Sequence, residues 1–328
     1  MNTTVDLPAF DGKVLPNECV DAIWAHLWPS DLQAAMRVSS AWARSAATVL
    51  YRDIHIDNPA RLRSLLRTVQ RRPDLAAYVR RLKLYESVMP DPHGTRSLSG
   101  SAPSLLQHLP ALQQLHLMGG WRGGVDLILE HAPVLKSLQY EHWCDVNDRR
   151  SLQDCDELNH GLRSLEHTLE HLHVHLELYS HDAEEVEDLR IVPVNGHLSL
   201  SRFTNLRTLR VPVALLLGWT PQLAPELDQV LPASLRSLSL TEDLVKQSTY
   251  QWSEDALLAK LHGFLTGLDE RTHSLELVEF HLSQLWGDRW RAATTGKLEQ
   301  MVTEARVRCV VDMTECYCDG DEWGSDDE

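Results

Sequence analysis

A loose phrase, L-x-x-L-x-L, returns through most of this chain and limits what it can fold into. It runs through Val79-Leu82-Leu84, Leu112-Leu115-Leu117, Leu135-Leu138-Tyr140 and Leu169-Leu172-Val174. It continues through Leu206-Leu209-Val211, Leu235-Leu238-Leu240 and Leu275-Val278-Phe280. The closing x-L-x-L alternation has the two-residue period of a strand with one buried face. Gaps of 23 to 40 residues separate successive phrases, room for a helix in each return. Helix followed by strand, repeated, stacks with a parallel sheet on one side.

The stretches between the phrases fit that scheme. Pro59 opens a helix over ARLRSLLRTVQRRP, with Leu62, Leu65, Leu66 and Val69 on one side. VDLILEHAP (125–133), PELDQVL (225–231) and SEDALLAKLHGFLTGLDE (253–270) precede the third, sixth and seventh strands, with Ser253 as a cap. KLEQMVTEA and RVRCVVD supply a last helix and an eighth strand. The expected fold class is α/β, an irregular leucine-rich-repeat-like solenoid of about eight units over 58–313. Three segments read as surface loops: the Pro/Gly/Ser-rich 87–104, the polar 144–160 and the acidic 180–190.

Charge is unevenly placed. The chain of 328 residues has a formal net charge of −16, which argues against a general nucleic-acid or membrane-surface binder. Residues 37–83 nevertheless hold 11 Lys and Arg against three acids, whereas 312–328 hold eight acids and no base. The segment 314–328 is expected to be a disordered acidic tail and 1–13 a flexible leader without a signal peptide. Cysteines 19, 144, 155, 309, 316 and 318 follow no disulfide or zinc spacing, so a reducing cytoplasmic or nuclear setting is expected. The longest apolar run, near 211–219, is too short to span a bilayer.

Candidate chemistry is sparse. His171, His173 and His175 share one strand face, and i, i+2 neighbours stand about 7 Å apart, so His171 and His173 define a metal-dependent enzyme as one alternative. No phosphate loop, dinucleotide glycine pattern, nucleophile elbow or zinc-protease motif occurs, and neither a catalytic residue nor a cofactor is assigned. Opposite the leucines, the residue after the second leucine of each phrase faces away from the core. These are Lys83, His116, Gln139, His173, Arg210, Ser239 and Glu279. Polar and mixed in charge, they suit a protein partner better than nucleic acid. His116, Gln139, His173, Arg210 and Ser239, with Arg207 and Arg236 nearby, are the expected substrate-binding set, the arginines meeting an acidic or phosphorylated segment.

The N-terminal stretch 14–57 has a different period. Val20, Ile23, Trp24 and Leu27 form a helical stripe, and Pro29 ends it. Ser30 with Gln33 reads as a capping box for a second helix bearing Leu32 and Met36. A third helix places Trp42, Ala46, Val49 and Leu50 on one face. Three such short helices bury little core alone and need a partner or the rest of the chain. Leu15-Pro16, Glu18, Ile23, Leu27, Asp31-Leu32 and Val38-Ser39 with Trp42 keep the spacing of the F-box family, which this stretch resembles. It departs from the family at Cys19, Trp24 and Ser39. Leu50-Tyr51-Arg52-Asp53-Ile54, Arg72-Pro73-Asp74-Leu75 and Tyr78 to Leu82 look like fungal-type members.

The resemblance implies a non-catalytic substrate-recognition adaptor of a Skp–cullin–F-box ubiquitin ligase. Its partners would be the Skp adaptor and cullin of that ligase and a protein substrate, with no nucleic acid or membrane. Leu15, Pro16, Ile23, Leu27, Leu32, Val38 and Trp42 would then dock the Skp adaptor or support its docking. The alternative within the binding class is a ligase-independent leucine-rich interaction scaffold.

Overall fold

The computed structural model describes residues 17–87, 98–121, 124–145, 155–179, 196–241, 243, 250–268, 274–281 and 292–312. Each of the seven leucine phrases ends in a strand. In chain order these are β2 (Arg81–Glu86), β3 (Gln114–Gly119), β4 (Ser137–Asp145), β5 (His171–Tyr179), β6 (Thr208–Pro212), β7 (Ser237–Thr241) and β8 (Leu277–His281). The eighth expected strand is β9 (Arg308–Asp312), and one that no leucine phrase announces, β1 (Asp53–Ile56), precedes them all. The strands form one parallel sheet whose spatial order is the sequence order, β1 to β9.

Irregular spacing in the sequence does not disturb this register. From β2 onward, the first peptide N–H of each strand donates to a carbonyl just ahead of the strand before it. Gln114 donates to Arg80 at 3.0 Å, His171 to Lys136 at 2.9 Å and Arg308 to Glu276 at 3.0 Å. Leu82, Leu115, Leu138, Leu172, Leu209, Leu238 and Val278 consequently stand side by side across the sheet. The varying lengths of the returns are taken up outside the sheet.

The helices are α1 (Asn17–Ala25), α2 (Pro29–Ala35), α3 (Ser40–Leu50), α4 (Pro59–Arg71), α5 (Pro73–Ala76) and α6 (Ala102–Leu106). They continue with α7 (Val125–Glu130), α8 (Cys155–Arg163), α9 (Val213–Leu217), α10 (Leu227–Val230), α11 (Glu254–Thr266) and α12 (Ala292–Glu304). Leu62 and Val69 of α4, Ile128 of α7, Leu158 of α8, Leu261 of α11 and Val302 of α12 join the strand leucines in one continuous core. Asn58 caps α4 by accepting from Arg61 N at 2.9 Å. Ser253 caps α11, as expected, accepting from Ala256 N at 3.3 Å.

Two expected loops prove in part to be core. Starting within 144–160 and running past it, α8 buries Cys155, Leu158 and Leu162 at the i, i+3, i+7 spacing of an amphipathic helix. Its Gly161 abuts α7 so closely that a Cβ there would stand 2.7 Å from Asp126 Cα. Within 87–104, Leu98 and Ala102 are buried. The acidic 180–190 stretch, the leader and the tail lie outside the described residues.

The three N-terminal helices enclose a second, small core of Trp24, Leu32, Ala35 and Ala46, with Leu27, Met36, Trp42, Val49 and Leu50 packed against it. Trp24 and Trp42 meet edge to face, with centroids 5.3 Å apart. Ser39 caps α3 by accepting from Trp42 N at 3.2 Å. The capping box expected at Ser30 does not form: Trp28 is the N-cap residue, without a side-chain bond, and Pro29 begins the helix. A proline at the first helical position removes only an N–H that has no partner there, so it starts this helix and does not merely end the previous one. Among the described residues no helix is long and apolar enough to cross a membrane.

Candidate functional site

Strand alternation gives the sheet a second face, set with polar side chains. Its central row runs His55, Lys83, His116, Gln139, His173, Arg210, Ser239, Glu279 and Val310, each in register with the next. One step toward the strand C-termini, Tyr85, Met118, Glu141 and His175 form a shorter row on the same face. One step the other way stand Arg81, Gln114, Ser137, His171 and Thr208.

The two rows are tied together by carboxylates. Glu141 accepts a bond from the Gln139 amide. It also lies 3.1 Å from His116 Nε2, within ion-pair distance but off the line of the ring N–H. Burial alone would raise the Glu141 pKa, but His116, Gln139 and His175 together hold it at about 2. Asp243 lies 2.7 Å from His175 Nδ1 and accepts the Leu176 peptide N–H at 3.0 Å. Burial opposes the charge on His175, yet the bond to Asp243 and the nearby carboxylates raise its pKa overall. Among the described residues His173 has no such carboxylate in contact. Burial, followed by the adjacent Arg210, lowers its pKa to about 4, so it is neutral near pH 7.

Arg210 is the cation among three members of the row, with His116 and Ser239, that hold a buried polar atom without a hydrogen-bond partner. Its Nε is shut off from water and has no hydrogen-bond partner, and among the described residues the guanidinium makes no ion pair. An unsatisfied donor of this kind is costly and calls for an acceptor. At the other end of the row a groove of about 370 Å³ opens over β1 to β4, lined by His55, Arg81, Lys83, Gln114, His116 and Gln139 among others. Arg81 is paired with Asp53 through a second contact of 2.6 Å. Lys83 has no partner among the described residues. Burial, then Lys83, depresses the His55 pKa. Beside the groove, Tyr85 and Trp143 meet edge to face at 5.8 Å, giving the face an aromatic corner.

Of the substrate-binding set read from the sequence, His116, Gln139, His173 and Arg210 come together in this row. Ser239 shares their register but is only 2 % exposed, because β7 is covered on both faces. Arg207 and Arg236 precede β6 and β7 and are exposed at the sheet's N-terminal rim, where Arg236 lies 3.5 Å from Glu276. Sequence reasoning missed Glu141 and Asp243. For Glu141 the signal was present, since alternation continues from Gln139 through Glu141 to Trp143. Asp243 lies beyond the end of its strand and had none.

The docking set divides differently. Leu32 belongs to the small core, and Leu27 and Trp42 are partly buried. Ile23 is 51 % and Val38 64 % exposed, and Trp28, which sequence reasoning did not single out, is 76 % exposed. Ile23 therefore leaves the buried stripe expected of it. The helix turns Trp24 inward, and the large indole fills the space between α1 and α3. Leu15 and Pro16 lie outside the described residues.

His171 is exposed and His173 is half-buried, one row apart. Among the described residues no group of three His, Cys, Asp or Glu side chains is placed to hold a metal ion. Cys309 is half-buried, and burial raises its thiol pKa. The chain matches no protein-family model and no curated protein.

Proposed function

We propose that this chain is the substrate-recognition adaptor of a Skp–cullin–F-box ubiquitin ligase. In this reading α1 to α3 are the F-box, docking the Skp adaptor, and the sequentially ordered sheet is a leucine-rich-repeat-like solenoid whose polar face holds a protein substrate. The protein acts by placing the substrate beside the conjugating enzyme and supplies no catalytic group. The observation that carries the reading is Ile23, Trp28 and Val38, three large apolar side chains left exposed on α1 and on the turns before and after α2, in a unit that has already closed its own small core. Exposed apolar groups concentrated on one small unit are what a covering partner would bury. The spacing from Ile23 to Trp42 that resembles the F-box supports the Skp adaptor as that chain.

The test is capture of purified Skp adaptor by the full chain. Ile23→Asp with Val38→Asp should reduce affinity more than about tenfold, since apolar anchors at an interface each contribute on the order of 2 kcal/mol. Both side chains are exposed, so the double variant should keep its melting temperature. No capture by the unaltered chain, or equal capture by the folded variant, would remove the ligase reading and leave the ligase-independent scaffold.

A further inference from the structure

Two cations on the polar face lack a partner among the described residues, and the sheet fixes their separation. Lys83 and Arg210 occupy one register row, on β2 and β6, with His116, Gln139 and His173 between them. Four strand intervals of about 4.8 Å put their Cα atoms about 19 Å apart. The other charges nearby are engaged: Arg81 with Asp53, Glu141 with His116 and Gln139, and Asp243 with His175. The three side chains between the two cations are hydrogen-bonding groups, and His173 is held neutral.

We propose that this row binds an extended acidic segment of a partner protein, crossing β2 to β6, with carboxylates about six residues apart on Lys83 and Arg210. The spacing follows from the rise of extended chain, about 3.3 Å per residue, over about 19 Å. Arg210 is half-buried, and a planar carboxylate of the segment pairs with the outer end of its guanidinium, which has no ion-pair partner among the described residues. The carboxylate that pairs with Lys83 sits in the groove of about 370 Å³ over β1 to β4, which has room for a side chain. Two strands beyond Arg210, Glu279 turns the row negative and limits how far the acidic part of the segment extends. The inference deepens the substrate-holding part of the proposed function and does not depend on the Skp adaptor.

The experiment is fluorescence anisotropy of the full chain with labelled 14-residue peptides of Ala, Gly, Ser and Thr carrying two glutamates. With the glutamates six residues apart, binding should be about tenfold tighter than with them adjacent, and replacing either by Gln should cost about tenfold. Lys83→Gln should weaken the spaced peptide and should no longer respond to loss of one particular glutamate; Arg210→Gln should show the same for the other. If Arg210→Gln does not fold, Arg210→Lys together with the peptide changes, which leave the protein untouched, still tests the pairing.

Equal binding of spaced, adjacent and Gln peptides, or indifference to Lys83→Gln, overturns the proposal. So does full competition by millimolar inorganic phosphate, which would mean two independent anion sites. The chain's own acidic tail is the remaining occupant. If truncation after Met313 tightens the probe about tenfold and Lys83→Gln abolishes the gain, the row belongs to the tail and the partner assignment falls. Skp-adaptor capture by the same preparations separates the two readings. Its absence beside intact spacing selectivity counts against the ligase alone.

Discussion

The N-terminal helices and the sheet handle apolar surface in opposite ways. In the sheet, leucines align across the strands and meet the inner faces of α4 to α12, and the opposite face carries mostly charged and polar groups. In α1 to α3 a four-residue core closes early, and Ile23, Trp28 and Val38 remain outside it. The core-facing side of the sheet finds its apolar partners within the chain, so the chemistry left on the other side is mostly polar and suited to selecting among ligands. The helical unit is too small to cover its own apolar residues. Constant, tight association with one partner is better served by that second kind of surface, and discrimination by the first.

The contrast can be broken most forcefully inside the sheet. Gly119 has φ of +105°, and a Cβ there would stand 1.9 Å from the Glu86 carbonyl oxygen. Gly119→Ala should therefore destabilise by more than about 3 kcal/mol, or prevent folding, as read by chemical denaturation. Leu172→Ala, at a fully buried row position, should cost about 2–5 kcal/mol in the same measurement. A loss below 1 kcal/mol for Leu172→Ala would mean that the leucine rows do not form the main core.

Acid should act on the polar face in two stages. His173 has a depressed pKa of about 4, so the unfolded chain takes up its proton first, and stability should fall as pH drops from about 6.5 toward 4. Glu141 is depressed to about 2, so its contribution is complete above about pH 5 and is lost between there and about 2. His175 runs the other way: with a raised pKa it stabilises below about 6.5 and loses that contribution as pH climbs through its folded value. Denaturation midpoints of His173→Gln and Glu141→Gln across this range should each lose one stage. Unchanged pH profiles would show that the carboxylate and imidazole contacts are not formed in solution.

Smaller effects belong to the helical unit. Ser39→Ala removes the α3 cap and should cost about 1 kcal/mol. Ile23→Ala and Val38→Ala should stay within about 0.5 kcal/mol, because both side chains are exposed. Larger losses would show these residues buried in the free protein, and the contrast between the two regions would disappear.

Much of the sheet could be read from the chain alone because its signal is local. A leucine two residues from another marks a strand and its buried face wherever it occurs. β1 escaped because Asp53–Ile56 contains only Ile54 and Ile56, and no leucine phrase leads into it. α8 escaped because Asp156, Glu157, Asn159 and His160 make it read as polar, although Cys155, Leu158 and Leu162 keep helical spacing. The row of Lys83, His116, Gln139, His173 and Arg210 was visible as a parity, since every second residue faces the same way. Its electrostatics were not, because Asp243 reaches His175 across 68 residues of sequence and no pattern in the chain links the two.

The sequential order of the strands also has a kinetic meaning. Every strand bonds to those just before and after it in the chain, so no distant segment has to be found before a new strand can add. Growth can then begin at any adjacent pair and spread in both directions, while opening starts at the two ends, β1 and β9. Amide hydrogens of β4 and β5, joined over nine paired residues, should exchange last. Protection should decay outward by steps, strand by strand, and the β9 end, where Val310 is 40 % exposed, should open far more often than the middle.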